Sequence, residues 1–219
     1  MSIDTELARN NMVENQIRPW EVLDPRVLDT LRELRRETFV PEAHRHLAFA
    51  DIALPIGHGE VMFKPVIEGR ILQSLALQGN ERVLEIGTGS GFLTACMARL
   101  AASVTSVERH ADLADAARAR LMAARIGNVR VEAGDALGDA QTSETFDVVV
   151  LGGAVHSLPE RLRASVRLGG RMLAFIGQSP AIEAVLLTRD ATSKWTQTSL
   201  FDTDLPYLHH AEPPRRFAL

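Results

Sequence analysis

The chain has 219 residues, of which 46% are hydrophobic and 24% charged, the composition of one ordinary globular domain and not of a disordered chain. Its 24 Lys and Arg against 28 Asp and Glu give a net charge of −4, which argues against a general nucleic-acid binder with a basic stripe. A single cysteine, Cys96, excludes an internal disulfide, and no apolar run reaches the ~18–20 residues of a membrane span.

Residues 4–17 carry Leu7, Val13 and Ile17 at helical spacing. Asp24 followed by Pro25 is an N-cap with proline at the first helical position, and it opens a helix through Arg35 with Val27, Leu28, Leu31 and Leu34 on one face. The basic cluster Arg32, Arg35, Arg36 and the pair Arg215, Arg216 are expected on solvated faces. Residues 50–63 read as a loop in which Gly57 and Gly59 bracket His58. Pro65 begins another helix, which Gly79 is expected to stop. The N-terminus has no apolar signal-peptide core, so a cytoplasmic location is the expectation.

From residue 81 strands and helices alternate. Strands are predicted at 82–87, 103–108, 129–134, 146–153 and 171–177, and helices at 91–101, 110–124 and 157–167. The strand FDVVVLGG is the most apolar and is expected at the centre. Segments 181–190 and 195–202 read as two last strands joined by a turn. The alternation predicts right-handed crossovers and a mostly parallel sheet with helices on both faces. The last two strands, with no helix between them, are expected to be its only antiparallel hairpin. Residues 1–79 then form a helical cap on an α/β core of residues 80–219, within one domain.

The strongest local signal is Gly87-Thr88-Gly89-Ser90-Gly91, between the first buried strand and a helix. Gly87 allows a tight turn, while Gly89 and Gly91 let backbone approach a ligand without a Cβ in the way. The helix N-terminus beyond the loop offers N–H groups to a carboxylate or phosphate. Glu108 ends the second strand about 20 residues later, where an acid can accept from ribose hydroxyls. Asp135 follows the third strand and can accept from an exocyclic amine such as adenine N6; small Ala136 leaves room for the ring. With Glu85, three acids surround the loop. They suit the cationic sulfonium and ammonium of S-adenosylmethionine better than the pyrophosphate of NAD. The spacing also departs from the dinucleotide fingerprint, because Phe92 holds its last place. A flavodoxin-like sheet with acids merely capping strand ends is the plainer alternative.

Several segments resemble the protein-L-isoaspartate O-methyltransferase family: MVENQIR (12–18), FVPEAHRHLAF (39–49), LPIGHGE (54–60), RVLEIGTGSGF (82–92), SVER (106–109), GDA (134–136) and FDVVV (146–150). The resemblance implies a Rossmann-like class I methyltransferase fold with an N-terminal helical extension, and S-adenosyl-L-methionine as cofactor. It places cofactor contacts on Glu85, Gly87, Thr88, Gly89, Ser90 and Gly91. Others fall on Glu108 and Arg109, and on Asp135 and Ala136. The implied acceptor is the carboxylate of an isoaspartyl residue in a protein or peptide. The family's usual Gln-Thr-Ile-Ser reads Glu60-Val61-Met62-Phe63 here, so Phe63 stands where the acceptor-orienting serine is expected.

A carboxylate acceptor, titrating near ~4, needs no general base. An alcohol or amine acceptor would, and His58 and His156 are the candidates; His58 can equally bond loop backbone. Ser157 and Glu160 read as a capping box that opens a helix and leaves His156 exposed. Cys96 is expected in the core, and His209-His210 in a solvated loop rather than at a metal. Three functions fit this reading. They are isoaspartyl methylation, methylation of another acceptor such as an anionic small molecule drawn by Lys64, and cofactor binding without catalysis. No nucleic acid or membrane partner is expected, and the sequence gives no oligomeric state.

Overall fold

The computed structural model describes residues 4–138 and 144–214; the Arg215–Arg216 pair lies outside them. Helix α1 (Thr5–Met12) is capped by Asp4, whose carboxylate accepts from the Glu6 and Leu7 amides. The chain then widens into a π-type turn over Val13–Ile17. Helix α2 (Pro25–Glu33) starts at the expected Asp24–Pro25 cap but ends two residues early, because Leu34 is extended. Residues 50–63 are not all loop. Leu54–Gly57 (β1) and Glu60–Met62 (β2) form an antiparallel hairpin with His58 at its tip. Helix α3 (Pro65–Leu75) stops at Ala76, which is left-handed at φ 47°, and not at Gly79. The early turn buries Leu77 and leaves the Leu75 and Ala76 carbonyls to accept from Arg171.

The main sheet comprises β3 (Arg82–Ile86), β4 (Ser103–Glu108), β5 (Val129–Ala133), β6 (Phe146–Val155), β7 (Val166–Gln178), β8 (Ala181–Arg189) and β9 (Trp195–Thr203). Their order is β5-β4-β3-β6-β7-β8-β9, which puts the apolar β6 at the centre as predicted. The first five in this order run parallel. The β8–β9 hairpin is present but is not the only one, since β7 also pairs antiparallel with β8, as β1 does with β2. Only Ser179 and Pro180 separate β7 from β8, and a parallel return would need a crossover of about a dozen residues.

Residues alternate between the two faces along each strand. Val148, Val150, Leu173 and Phe175 join a core shared with α2, α3 and α4 (Phe92–Leu100); Val149, Leu151, Met172 and Ala174 join a second core that includes Leu162. Cys96 lies in the first core, as expected. Helix α5 (Ala111–Ala123) connects β4 to β5. Helix α6 is only Glu160–Ala164, with Pro159 at the N-cap position and no side-chain cap, so the predicted capping box at Ser157 does not form. Proline disfavours helical backbone at the residue before it, so Leu158 cannot be the first helical residue. His156 is correspondingly half-buried, not exposed, and its backbone N–H donates to Ala211 O at the end of β6. Among the described residues no helix is long and apolar enough to cross a membrane.

One side chain ties the N-terminal helices to this sheet. Arg171 on β7 donates to both carboxylate oxygens of Glu81, at 2.7 and 2.9 Å, and to Leu75 O at the end of α3 at 2.6 Å. Arg171→Met removes the guanidinium from both groups and leaves the Glu81 carboxylate held by the Gln78 N–H. It should lower unfolding free energy by about 2–4 kcal/mol in a reversible denaturant titration.

Candidate cofactor and acceptor site

The strand order reverses between β3 and β6, and at such a switch point the loops leaving the two strands diverge and open a crevice. Here the crevice is a cleft lined on one side by the glycine loop, Glu108 and Asp135 and on the other by Val61, Met62 and Phe63. Gly87, Gly89 and Gly91 all have positive φ, at 92°, 53° and 86°, a conformation that side chains resist. Gly152 on β6 is required for a different reason. A Cβ there would stand 2.4 Å from Gly87 O, so the two strands can pass only with glycine.

Two acids hold the loop in shape. Glu108 is buried, accepting from Gly89 N at 2.9 Å and His110 N at 3.0 Å, one on each oxygen. Each oxygen keeps a lone pair for a hydroxyl donor. Glu85 is deeper, and its Oε2 accepts from Thr94 at 2.5 Å and Ser106 at 2.6 Å. Because Ser106 donates there, Thr88 donates to Ser106 Oγ at 2.6 Å. The Thr88 hydroxyl is therefore committed to the protein, and Ser90 Oγ accepts from Phe92 N at the start of α4. Burial pushes Glu85 up to about 7, against the lowering effect of its two hydroxyl donors.

The other candidates are distributed along the cleft. Asp135 Oδ1 accepts from Leu137 N at 2.9 Å, and its Oδ2 faces His210 at 3.1 Å and Arg109 at 3.9 Å. Ala136 lies beside it in the cleft wall. His58 stands apart from the wall. Its ring bonds Asp112 of α5 at 2.8 Å and stacks on His110 at a centroid distance of 4.1 Å, fastening the β1–β2 hairpin over the loop. Ile56 of that hairpin reaches within 3.1 Å of where a Cβ on Gly89 would stand. His156 is also away from the cleft lining. Phe63 is buried with its ring edge-on to Phe175 of β7 at 5.8 Å, and the wall has no hydroxyl at that place. Glu60 on the rim is raised above the usual carboxylate range by burial and by the charge of Glu108.

Three features escaped the sequence reading. Arg36 is fully buried, not solvated. Its Nη2 donates to Phe63 O at 2.6 Å, its Nη1 to Met62 Sδ at 3.5 Å, and its guanidinium lies over the Phe92 ring. Glu68 of α3 faces Arg36 at 3.3 Å and also lines the cleft. A charged residue on the apolar face of Ile71, Leu72 and Leu75 is a signal that could have revealed it. The third is the C-terminal segment. Leu208 and His209 reach the cleft because Leu208 N donates to Ala154 O and Ala154 N to Pro206 O, alongside β6. Nothing in its residue pattern announces this. Among the described residues no group of three His, Cys, Asp or Glu side chains is placed to hold a metal.

The sheet order, the glycine loop and the acid at the end of β4 define a Rossmann-like fold of the class I methyltransferase type. The family model "Protein-L-isoaspartate(D-aspartate) O-methyltransferase (PCMT)" matches residues 7–204. A protein-L-isoaspartate O-methyltransferase of Rhodopseudomonas palustris strain CGA009 is 39% identical over 202 residues, covering 92% of this chain and 93% of that one. Its namesake, numbered 1, from R. palustris strain HaA2 is 41% identical over 182 residues, or 83% of this chain and 74% of the other. The crystal structure of a Plasmodium falciparum protein described as a putative protein-L-isoaspartate O-methyltransferase, in complex with S-adenosyl-L-homocysteine, superposes with a TM-score of 0.79. That likeness holds at 21% identity over 91% of this chain and 97% of that one. The chain belongs to the protein-L-isoaspartate O-methyltransferase family.

Glu85 has a consequence for stability. An acid whose folded pKa is raised from 4.5 to about 7 binds a proton in the folded state that the unfolded state has already lost. Its contribution is complete below pH 4.5 and is lost as pH rises to about 7. Glu85→Gln keeps the shape without the titration. Melting temperatures followed from pH 5 to 8 should fall less with pH in this variant than in wild type.

Proposed function

We propose that the protein is an S-adenosylmethionine-dependent O-methyltransferase acting on the carboxyl group of isoaspartyl residues in proteins or peptides. The observation that carries the cofactor reading is the conjunction of the Gly87–Gly91 loop with Glu108 bound to its centre and Asp135 at the next strand end. Glu108 keeps acceptor capacity for ribose hydroxyls, Asp135 stands where an exocyclic amine would donate, and Ala136 leaves space beside it. Family membership supports the acceptor reading. The cofactor supplies a methyl group on a sulfonium.

The chain's own task is positional. A carboxylate titrating near ~4 is already ionised at neutral pH, so no residue has to remove its proton. Val61, Met62 and Phe63 must hold the acceptor in line, and Arg36 fixes that wall through the Phe63 carbonyl. We read residues 1–79 and 80–219 as one working unit, since the first supplies the acceptor wall and the second the cofactor loop. Cys96, buried and unpaired, suits a reducing cytoplasm.

Phe63 favours a second reading with the same cofactor and a different acceptor. Its ring occupies the wall against Phe175 and offers no hydrogen bond to a carboxylate. Lys64, exposed at the head of α3, could attract an anionic small molecule.

Two experiments separate these readings. Calorimetry should show S-adenosylhomocysteine binding to wild type, and Asp135→Ala should weaken it by about 1–3 kcal/mol through the unpaired donor. No binding at millimolar ligand overturns the cofactor assignment. In the second experiment, wild type and a Val61→Thr, Phe63→Ser double variant are assayed on one isoaspartyl peptide. Wild type should turn over poorly and the variant faster, because a misplacement near 1 Å costs on the order of 100-fold in rate. Robust wild-type turnover, unchanged in the variant, would show that the Phe63 wall positions an isoaspartyl acceptor unaided. Silence in both would point to a different acceptor.

A further inference from the structure

Glu68 is a buried acid of the cleft that stands apart from the glycine loop and the acids around it. It lies in the first turn of α3, is 1% exposed, and contributes to the wall beside Met62, Phe63 and Leu93. Its Oε2 has no hydrogen-bond partner, and Arg36 Nε stands 3.3 Å away without hydrogen-bond alignment. Arg36 directs its other nitrogens to Phe63 O and Met62 Sδ and is not part of the cleft lining. Of this pair, Glu68 and not Arg36 lines the cleft. Glu85, another buried acid of the cleft, already accepts two hydroxyls on one oxygen. Glu68 is the less committed of the two. Burial pushes it up to about 8 even beside Arg36, so a cation on the cleft side would stabilise its ionised form.

The strand order gives the cleft a direction. Asp135 and Glu108 follow β5 and β4 at one end, whereas Phe63 packs on Phe175 of β7 toward the other. If adenosine is held by Asp135 and Glu108, the rest of the cofactor extends toward Met62, Phe63 and Glu68.

We propose that Glu68 is a specificity-determining residue for the methyl donor, its carboxylate facing the sulfonium and favouring S-adenosylmethionine over S-adenosylhomocysteine. This rests on the cofactor reading above. The two ligands share adenosine, ammonium and carboxylate, and they differ by one methyl and by the charge on sulfur. The cation draws Glu68 into its ionised form, and a buried anion then acts on that difference strongly, because little water screens it. Loss of the methyl leaves a neutral thioether, so Glu68 then favours release of the product over retention.

The test is calorimetric titration of S-adenosylmethionine and of S-adenosylhomocysteine, separately, into wild type and Glu68→Gln, with melting curves to confirm folding. The Gln variant should bind S-adenosylmethionine about tenfold more weakly and S-adenosylhomocysteine within about twofold of wild type. Equal weakening of both overturns the proposal, because Glu68 would then face the shared ammonium or only shape the wall. No change in either overturns it as well. Should Glu68→Gln not fold, Glu68→Asp retracts the charge by one methylene, and the ratio of the two affinities should fall about threefold; an unchanged ratio overturns the proposal. If wild type binds neither ligand, the cofactor reading itself is wrong and this one falls with it.

Discussion

The carboxylate of Glu108 is the contact on which the rest of the site depends. It accepts from Gly89 at the centre of the glycine loop and from His110 at the head of α5. One side chain at the end of β4 therefore sets the loop after β3 and the turn that opens the next helix. A loop of three glycines has many conformations open to it, and without a fixed acceptor it would hold none of them. Glu85 secures the same loop from below through Ser106 and Thr88. The loop is presented as a rigid edge because two buried acids hold it, and both must be buried to do so.

The wall of Val61, Met62 and Phe63 across the cleft is built on the opposite principle. Its backbone is held by a cation, Arg36, which reaches from the N-terminal helices to the Phe63 carbonyl and over the Phe92 ring. Phe92 begins the helix that follows the glycine loop. Arg36 thereby fixes the distance between this wall and the glycine loop, the distance on which the proposed in-line transfer would depend. The helical extension is part of the site for this reason, and Arg171 fastens the same extension to the sheet at its other end.

The wall that Arg36 holds differs in chemistry from the edge it faces. Glu60 and Glu68 contribute carboxylates and Phe63 an aromatic ring, whereas the facing edge presents glycines and the acids that hold them.

Strand-and-helix alternation, the Asp24–Pro25 cap and the apolar run of β6 were legible in the sequence, because local periodicity and capping act over a few residues. The glycine loop and its acids were legible for the same reason, each lying within a residue or two of a strand end. Contacts between distant segments were not. The charge pattern put Arg36 on a solvated face, yet it is buried, because Glu68 and the Phe63 carbonyl, 32 and 27 positions away, compensate it there. The second antiparallel pairing, β7 with β8, followed from a two-residue connection too short for a crossover. The Leu208–His210 segment reached the cleft only by hydrogen bonding along the end of β6. The sequence by itself determined the kind of sheet, the loop and the acids around it. Which side chains face the cleft was decided by the tertiary structure, because burial of a charge depends on partners that chain order does not bring together.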